Sequence, residues 1–411
     1  MGQRLPGEVT GRIQETRKLE VMKSDRGQRE RRGGDWGKDV KRFFLKKRSR
    51  DQSWSCYKVR RRPGSVRHKV EAEEMEFQVA MFTKVSLMFL FVLQGVTANP
   101  NPADKMDKSK SLRFLALGDW GGLPFSPYTT PVEMSTAKQM GVVAKTMGVD
   151  FILSLGDNFY YSGVYDVTDN RFKETFEDIF SAESLKDVPW YVVAGNHDHS
   201  GNVTAQIEYS KVSKRWNFPQ YYYDLNFTIA GSNTTVTILM LDTVLLCGNS
   251  DDFRGMEPEA PMDFHVANTQ LRWVEEKLKA SRSDFLIVAG HYPVWSIAQH
   301  GPTRCLVKKL YPLLTKYRAS AYFCGHDHNL QFIQDDNGIG YVLSGAGNFM
   351  EDSTKHKHRV PEHWLKFFYA DISSLGGFAY VEVMPEQMVV TYIESHGKSL
   401  YQTTIPKRSG R

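Results

Sequence analysis

An α/β fold is what this sequence predicts, and three observations carry the prediction. From about residue 110, apolar β-branched runs of four to six residues alternate with helical stretches, the order that lays helices on the faces of a sheet. Five of these runs end in Gly followed by a polar residue, as expected where a ligand site is built at strand ends. Hydrophobic residues make up 41% and charged residues 24% of the 411, which supports a sizeable core and excludes a mainly disordered or fibrous chain.

Residues 1–80 stand apart from that pattern. They hold 22 Lys+Arg against 12 Asp+Glu, with clusters at Lys46-Lys47-Arg48 and Arg60-Arg61-Arg62 and no sustained apolar period, and they read as a basic, disordered extension. A basic arm for nucleic acid or nuclear targeting is the sharper alternative. The remaining residues carry 31 against 35, so the folded part has no electrostatic footprint for nucleic acid. At Met81 the grammar of a secretory leader begins: a short basic start through Lys84, an apolar run Val85 to Leu93, and small residues at Val96-Thr97-Ala98. The run is well short of the roughly 20 residues that span a bilayer, so no permanent membrane anchor is expected. An eighty-residue prelude before a leader is abnormal, and translation or processing is expected to begin effectively at Met81. A secretory route agrees with three glycosylation sequons, at Asn202, Asn226 and Asn233. In an oxidising compartment Cys247 and Cys305 can pair, Cys324 reads as a buried thiol, and Cys56 lies in the extension.

The domain proper is expected over 99–411, with 81–98 as the leader. Strands are predicted at Leu112 to Leu117, Phe151 to Leu155, Trp190 to Ala194, Thr235 to Leu241, Phe285 to Ala289, Ala319 to Cys324 and Tyr341 to Leu343. Two later runs, Phe378 to Val383 and Val389 to Ile393, have no long helix between them and suggest closing antiparallel strands. Helices are predicted near Glu133 to Met147, Phe172 to Ile179, Asn268 to Ala280 and Val307 to Tyr317. Neither a repeat nor an interdomain linker interrupts this series, so about 300 residues form one domain.

The residues just past each strand point to chemistry. The strand ends deliver Gly118-Asp119-Trp120, Gly156-Asp157-Asn158-Phe159-Tyr160, Gly195-Asn196-His197-Asp198-His199, Gly290-His291 and Gly325-His326-Asp327-His328. One Gly-Asp is a common turn. Five such ends in phase, holding five of the twelve histidines, are the donor types that metal ions require. Asp119, Asp157, Tyr160, Asn196, His291, His326 and His328 exceed what one ion takes from protein, so two ions are expected, with Asp157 able to bridge. A phenol, with an ordinary pKa near 10, binds as phenolate in acid only to a strongly Lewis-acidic ion, which favours ferric iron over zinc beside Tyr160.

These motifs resemble those of the metallophosphoesterase superfamily, and the Tyr three places after the second Asp is similar to the purple acid phosphatases. His291-Tyr292-Pro293-Val294-Trp295, Cys324-Gly325-His326-Asp327-His328-Asn329 and Leu343-Ser344-Gly345-Ala346-Gly347-Asn348-Phe349 resemble the animal, tartrate-resistant members. The resemblance runs from about Leu112 to near the C-terminus and omits residues 1–80. It implies a β-sandwich of two mixed sheets flanked by helices in four layers, with a single catalytic domain. It also implies Asp119, Asp157, Tyr160 and His328 on Fe(III), and Asp157, Asn196, His291 and His326 on Fe(II) or Zn(II). The implied reaction is hydrolysis of phosphate monoesters by attack of a metal-bound hydroxide, in a secreted or lysosomal acid phosphatase.

The resemblance further implies His197 as the group that protonates the leaving oxygen or holds a phosphate oxygen, and His300 as a site-lining histidine. Gln299 stands where mammalian members carry Glu, which weakens a proton-donor role at that position. His356 and His358 read as part of a solvated basic loop, and His199 is assigned no role. Cys247 to Phe264 has the composition of an exposed lid, which in the family is cut by an activating protease, the Cys247–Cys305 bridge then holding the halves together. Phosphoproteins, nucleotides and small phosphate esters are the expected substrates, and a monomer is expected. Two competing functions are a phosphodiesterase or nuclease on the same scaffold, and a metal-free secreted binding protein.

Overall fold

Every predicted strand is present, arranged with five others into two sheets that face one another. The computed structural model describes residues 110–250 and 257–409; the expectations for the basic extension, the leader, Cys56 and residues 251–256 of the lid lie outside these. In order the strands are β1 Leu112–Leu117, β2 Phe151–Ser154, β3 Trp190–Val192, β4 Trp216–Asn217, β5 Tyr223–Thr228, β6 Thr235–Met240, β7 Phe285–Ala289, β8 Ala321–Cys324, β9 Leu330–Gln334, β10 Gly340–Ser344, β11 Leu365–Tyr369, β12 Gly377–Val383, β13 Gln387–Glu394 and β14 Ser399–Pro406. One sheet runs β14-β13-β12-β1-β2-β3-β4 and the other β11-β9-β10-β8-β7-β6-β5. Each is mixed: β1 to β4 are mutually parallel while β1 meets β12 antiparallel, and β6, β7, β8 and β10 are parallel with antiparallel strands at both margins.

Burial explains why the central runs are apolar without alternation. Ile238 and Ile287 point into the core between the sheets, while Leu239, Leu286 and Val288 join a second core with Val274, Leu278, Leu310 and Leu314. Both faces of β6 and β7 are therefore covered, as parallel strands require. Phe114 of β1 meets Phe323 of β8 with ring centroids 5.7 Å apart, which places the sheets face to face. On the other sheet, the helix Pro131–Met147 buries Ala137, Met140 and Val143 in the core that holds Phe114.

Helix boundaries follow capping chemistry. Thr130 accepts from the Glu133 amide, Glu133 reaches back to the Thr130 amide, and Pro131 opens the first turn, so this helix starts two residues before the predicted Glu133. The predicted helix Val307 to Tyr317 is two helices, Arg304–Lys309 and Tyr311–Lys316, because Pro312 has no amide hydrogen to continue the first. The segment Phe172–Glu177 is π-helical, and the third predicted helix extends over Phe264–Ala280.

The strands that the apolar pattern missed carry polar residues. Ser399–Pro406 is an exposed edge, and Leu330–Gln334 buries Gln331, whose amide donates to Ser296 and Asn329 and accepts from the Ile297 amide. Cys247 and Cys305 are bridged, and Cys324 is a buried free thiol. Among the described residues no helix is long and apolar enough to cross a membrane.

Candidate metal centre

The parallel strands of both sheets point their carboxyl ends at one place, and the Gly-led turns there supply every predicted donor. Asp119 follows β1, Asp157 and Tyr160 follow β2, and Asn196 and His197 open the short helix Asn196–His199 after β3. His291 follows β7, while His326 and His328 follow β8. Asp119, Asp157 and His326 all have positive φ, at 58°, 53° and 72°, a region non-Gly residues rarely enter and one that clusters at functional sites. The glycines make this packing possible at two points above all. A Cβ on Gly195 would strike the Asp157 carboxylate, and one on Gly325 would strike that of Asp119.

Two donor groups result. In the first, the Tyr160 hydroxyl lies 3.1 Å from Asp119 Oδ1 and 3.0 Å from His328 Nε2, with His328 Nε2 3.7 Å from Asp119 Oδ1. In the second, His291 Nε2 lies 2.8 Å from Asn196 Oδ1 and 3.4 Å from Asp157 Oδ2. Asp157, His291 and His326 each offer a ligand atom within 4.8 Å of the others. Donors bound at about 2.0–2.2 Å around one ion lie roughly 3 to 3.5 Å from each other, and the separations of 2.8 to 3.7 Å given for Asp119, Tyr160 and His328 and for Asn196, His291 and Asp157 are close to that, with His326 beside the second group. The donor chemistry agrees, since carboxylates, imidazoles, an amide oxygen and a phenol suit iron or zinc.

Charge and tautomer are set by the surroundings. Burial drives the Asp119 carboxyl well above the usual carboxylate range; His291 opposes this shift and Asp157 adds to it. Burial by itself lowers His291, but the charge and hydrogen bond of Asp157, helped by Asp119 and the Leu155 carbonyl, outweigh it and raise the imidazole to about 10. Such a pocket favours positive charge beside its carboxylates, which a cation supplies. His291 Nδ1 lies 2.9 Å from the Leu155 carbonyl; a carbonyl only accepts, so Nδ1 carries a hydrogen and Nε2 is the nitrogen turned to the site, where a cation would displace its proton. His197 Nδ1 likewise donates to the Tyr161 carbonyl at 2.7 Å, and the His197 amide donates to Asp157 Oδ1 at 3.0 Å, leaving Nε2 4.0 Å from Asp157 Oδ2. The His300 ring lies 4.3 Å from that of His326. All nine predicted site residues thus meet.

Three supporting residues sat inside the motifs without an assigned role. The buried Asp198 accepts from the amides of Asn158, Phe159 and Gly195 and from the Gln206 side chain, tying the β2 and β3 turns together. Asp327 accepts from the Ser296 hydroxyl and, at 2.8 Å, from the His300 amide, which seats the His300 loop. Trp120 donates to Ser154 at 2.8 Å and packs edge-on against Phe180 and Trp190, anchoring the Asp119 turn. Their signal was position within a motif, not residue type. One expectation is corrected: His356 is buried, not solvated, with Nδ1 donating to the Ala298 carbonyl at 2.9 Å, because it fills the space that Gly301 leaves open. His358 is exposed. All three sequon asparagines are on the surface.

The sequence profile of the calcineurin-like phosphoesterases matches residues 112–330. The chain is 58% identical over 320 residues to human tartrate-resistant acid phosphatase type 5, covering 78% of this chain and 98% of that one. It is 61% identical to the pig protein of the same name over 78% of this chain and 96% of that one. Purple acid phosphatase 7 of Arabidopsis thaliana is 30% identical over 79% and 97% respectively. Among solved structures, GAP50, the anchor in the inner membrane complex of Plasmodium, superposes with TM-score 0.63 at 25% identity, covering 74% of this chain and 90% of that chain. The yellow lupin purple acid phosphatase PPD1 gives TM-score 0.52 at 17% identity over 72% and 54%, a likeness of fold.

Proposed function

Because the chain belongs to the calcineurin-like metallophosphoesterases, among the purple acid phosphatases of the tartrate-resistant kind, it is an acid phosphatase with a dinuclear metal centre, and we propose which residues run it. Asp119, Asp157, Tyr160 and His328 hold Fe(III), and Asp157, Asn196, His291 and His326 hold Fe(II) or Zn(II). The observation that carries this assignment is the division of the donors into two groups, at the spacings given above. Bound there, the two ions supply activated water and neutralise charge on the transferring phosphoryl group.

The chain's own residues do the rest. His197, its Nδ1 hydrogen committed to Tyr161, turns Nε2 toward the reaction space and hands a proton to the leaving oxygen. His300 lines the same space beside His326 and orients the ester. Asp198 and the His291–Leu155 bond keep the donors from relaxing away from their places. Phosphoproteins, nucleotides and small phosphate esters are the substrates. The leader and sequons support a secreted or lysosomal enzyme glycosylated at Asn202, Asn226 and Asn233, with the lid cut between Cys247 and Phe264 by an activating protease.

The test is metal content and a visible spectrum of protein expressed from Met81, with monoester turnover followed from acid to neutral pH. Two metals including iron, a purple band absent from Tyr160→Phe, and turnover in acid are expected. Colourless, active protein would refute the ferric assignment.

A further inference from the structure

Outside the metal cluster, a cavity of ≈ 790 Å³ opens between residues 257–261 and the helix Arg304–Lys309. Arg304, Lys308, Lys309, Lys355 and Arg359 line it. Facing them is the acidic segment Glu257-Pro258-Glu259 of the same chain. Glu257 lies between two of the cations: Arg359 donates to Oε1 at 2.7 Å, and Arg304 Nε is 3.4 Å from Oε2. Lys308, Lys309 and Lys355 have no ion pair among the described residues.

The floor of this cavity is also the support of the metal site. Buried His356 lines it, and its Nδ1 donates to the Ala298 carbonyl. A Cβ on Gly301 would collide with the His356 ring, so the segment 298–301 is moulded on that histidine. The same segment carries His300, whose ring lies against His326.

We propose that this cavity docks an acidic peptide segment, the carboxylate-rich sequence beside a phosphoserine or phosphothreonine, with Lys308, Lys309 and Lys355 as the recognising cations. Two observations favour a peptide over a single small anion. The lysines come from separate elements, Lys308 and Lys309 from the helix Arg304–Lys309 and Lys355 from a distant turn, and the cavity is already lined by a Glu-Pro-Glu stretch of this chain that pairs with Arg304 and Arg359. Among the described lining residues the five cations exceed the two glutamates, so a second acidic segment finds complementary charge. The proposal rests on the phosphomonoesterase function and names which protein substrates it prefers.

The experiment uses the full chain, a fluorescein-labelled unphosphorylated Glu-rich peptide, and anisotropy at about pH 5.5, above the ordinary carboxylate range. Lys308→Gln/Lys309→Gln/Lys355→Gln is expected to weaken peptide binding about tenfold, since each exposed pair contributes modestly. The Lys→Arg triple variant should retain binding, and Glu257→Gln should tighten it. Turnover of para-nitrophenyl phosphate should be unchanged by the glutamine triple, while KM for an acidic-flanked phosphopeptide rises and that for a neutral-flanked one does not. Equal peptide affinity in wild type and the glutamine triple would overturn the proposal, as would tighter binding of an oligonucleotide at the same lysines. Peptide binding that depends on the lysines without phosphopeptide hydrolysis would uphold the docking site and refute phosphoproteins as substrates.

Discussion

Asp198 shows how much of a metal site is built by residues that bind no metal. Its carboxylate gathers donors from the β2 and β3 turns, and removing it leaves those amides buried without an acceptor. Asp198→Ala is expected to lower metal affinity ten- to a hundredfold, roughly the cost of losing such support, measured as metal retained after dialysis. His197 should behave differently: His197→Gln keeps both metals and loses about 10²- to 10⁴-fold in kcat, the usual range for a general acid. Retained kcat would exclude His197 as the proton donor. His199 gives a pH signature of its own. Burial lowers its pKa, but Asp242, 2.7 Å from Nε2, outweighs burial and raises it above the ordinary value. A raised histidine contributes stability that is fully present below its unfolded pKa of about 6.5 and is lost as pH rises through the folded value. The Tm difference between wild type and His199→Gln, measured by calorimetry, should therefore be largest in acid and shrink toward alkaline pH. A difference that grew with pH would show the pair to be unimportant.

The strand-to-turn unit is the element that makes the site. Each Gly lets one turn carry a donor against the neighbouring turn, and Gly325→Ala tests that directly, because its Cβ would meet the Asp119 carboxylate and the Gly118 backbone. Loss of bound metal and of turnover is expected, with the far-ultraviolet circular dichroism preserved because β8 and β10 remain paired. An active, metal-loaded alanine variant would mean the turn can shift at no cost. The same units were the legible part of the chain. Central strands such as Phe285–Ala289 are buried on both faces and so are continuously apolar, and Leu112–Leu117 departs from this only at Arg113, whose guanidinium is paired with Glu382. Tyr223–Thr228 and Ser399–Pro406 are margins with polar or exposed positions, and the buried Gln331 breaks the apolar pattern of its strand because its side chain is satisfied by Ser296 and the Ile297 amide.

At the scale of the molecule, two sheets bring Asp119, Asp157 and Asn196 from one side to His291, His326 and His328 from the other. The Cys247–Cys305 bridge joins the helix Thr243–Cys247 to Arg304–Lys309 across 58 residues. Closing a loop of that length is worth about 4 kcal/mol in the chain-entropy picture. Cys247→Ala/Cys305→Ala is accordingly expected to lower Tm by about 6 °C in a domain of roughly 300 residues, read by calorimetry without reductant. An unchanged Tm would show that this region does not limit unfolding.

By itself the sequence determined the α/β class and the phosphatase chemistry, and it marked out the candidate donors, because each follows an apolar strand and a Gly, and both signals are local. Only the tertiary structure decided which candidate donors lie beside one another. Tyr160 meets His328 and Asn196 meets His291 across 168 and 95 residues, and such pairings exist only once the sheets pack. It also decided the fate of His356, which is flanked by lysines in the chain yet buried in the fold. A residue's neighbours in sequence report its solvent exposure poorly when a glycine far along the chain, here Gly301, opens the space it fills.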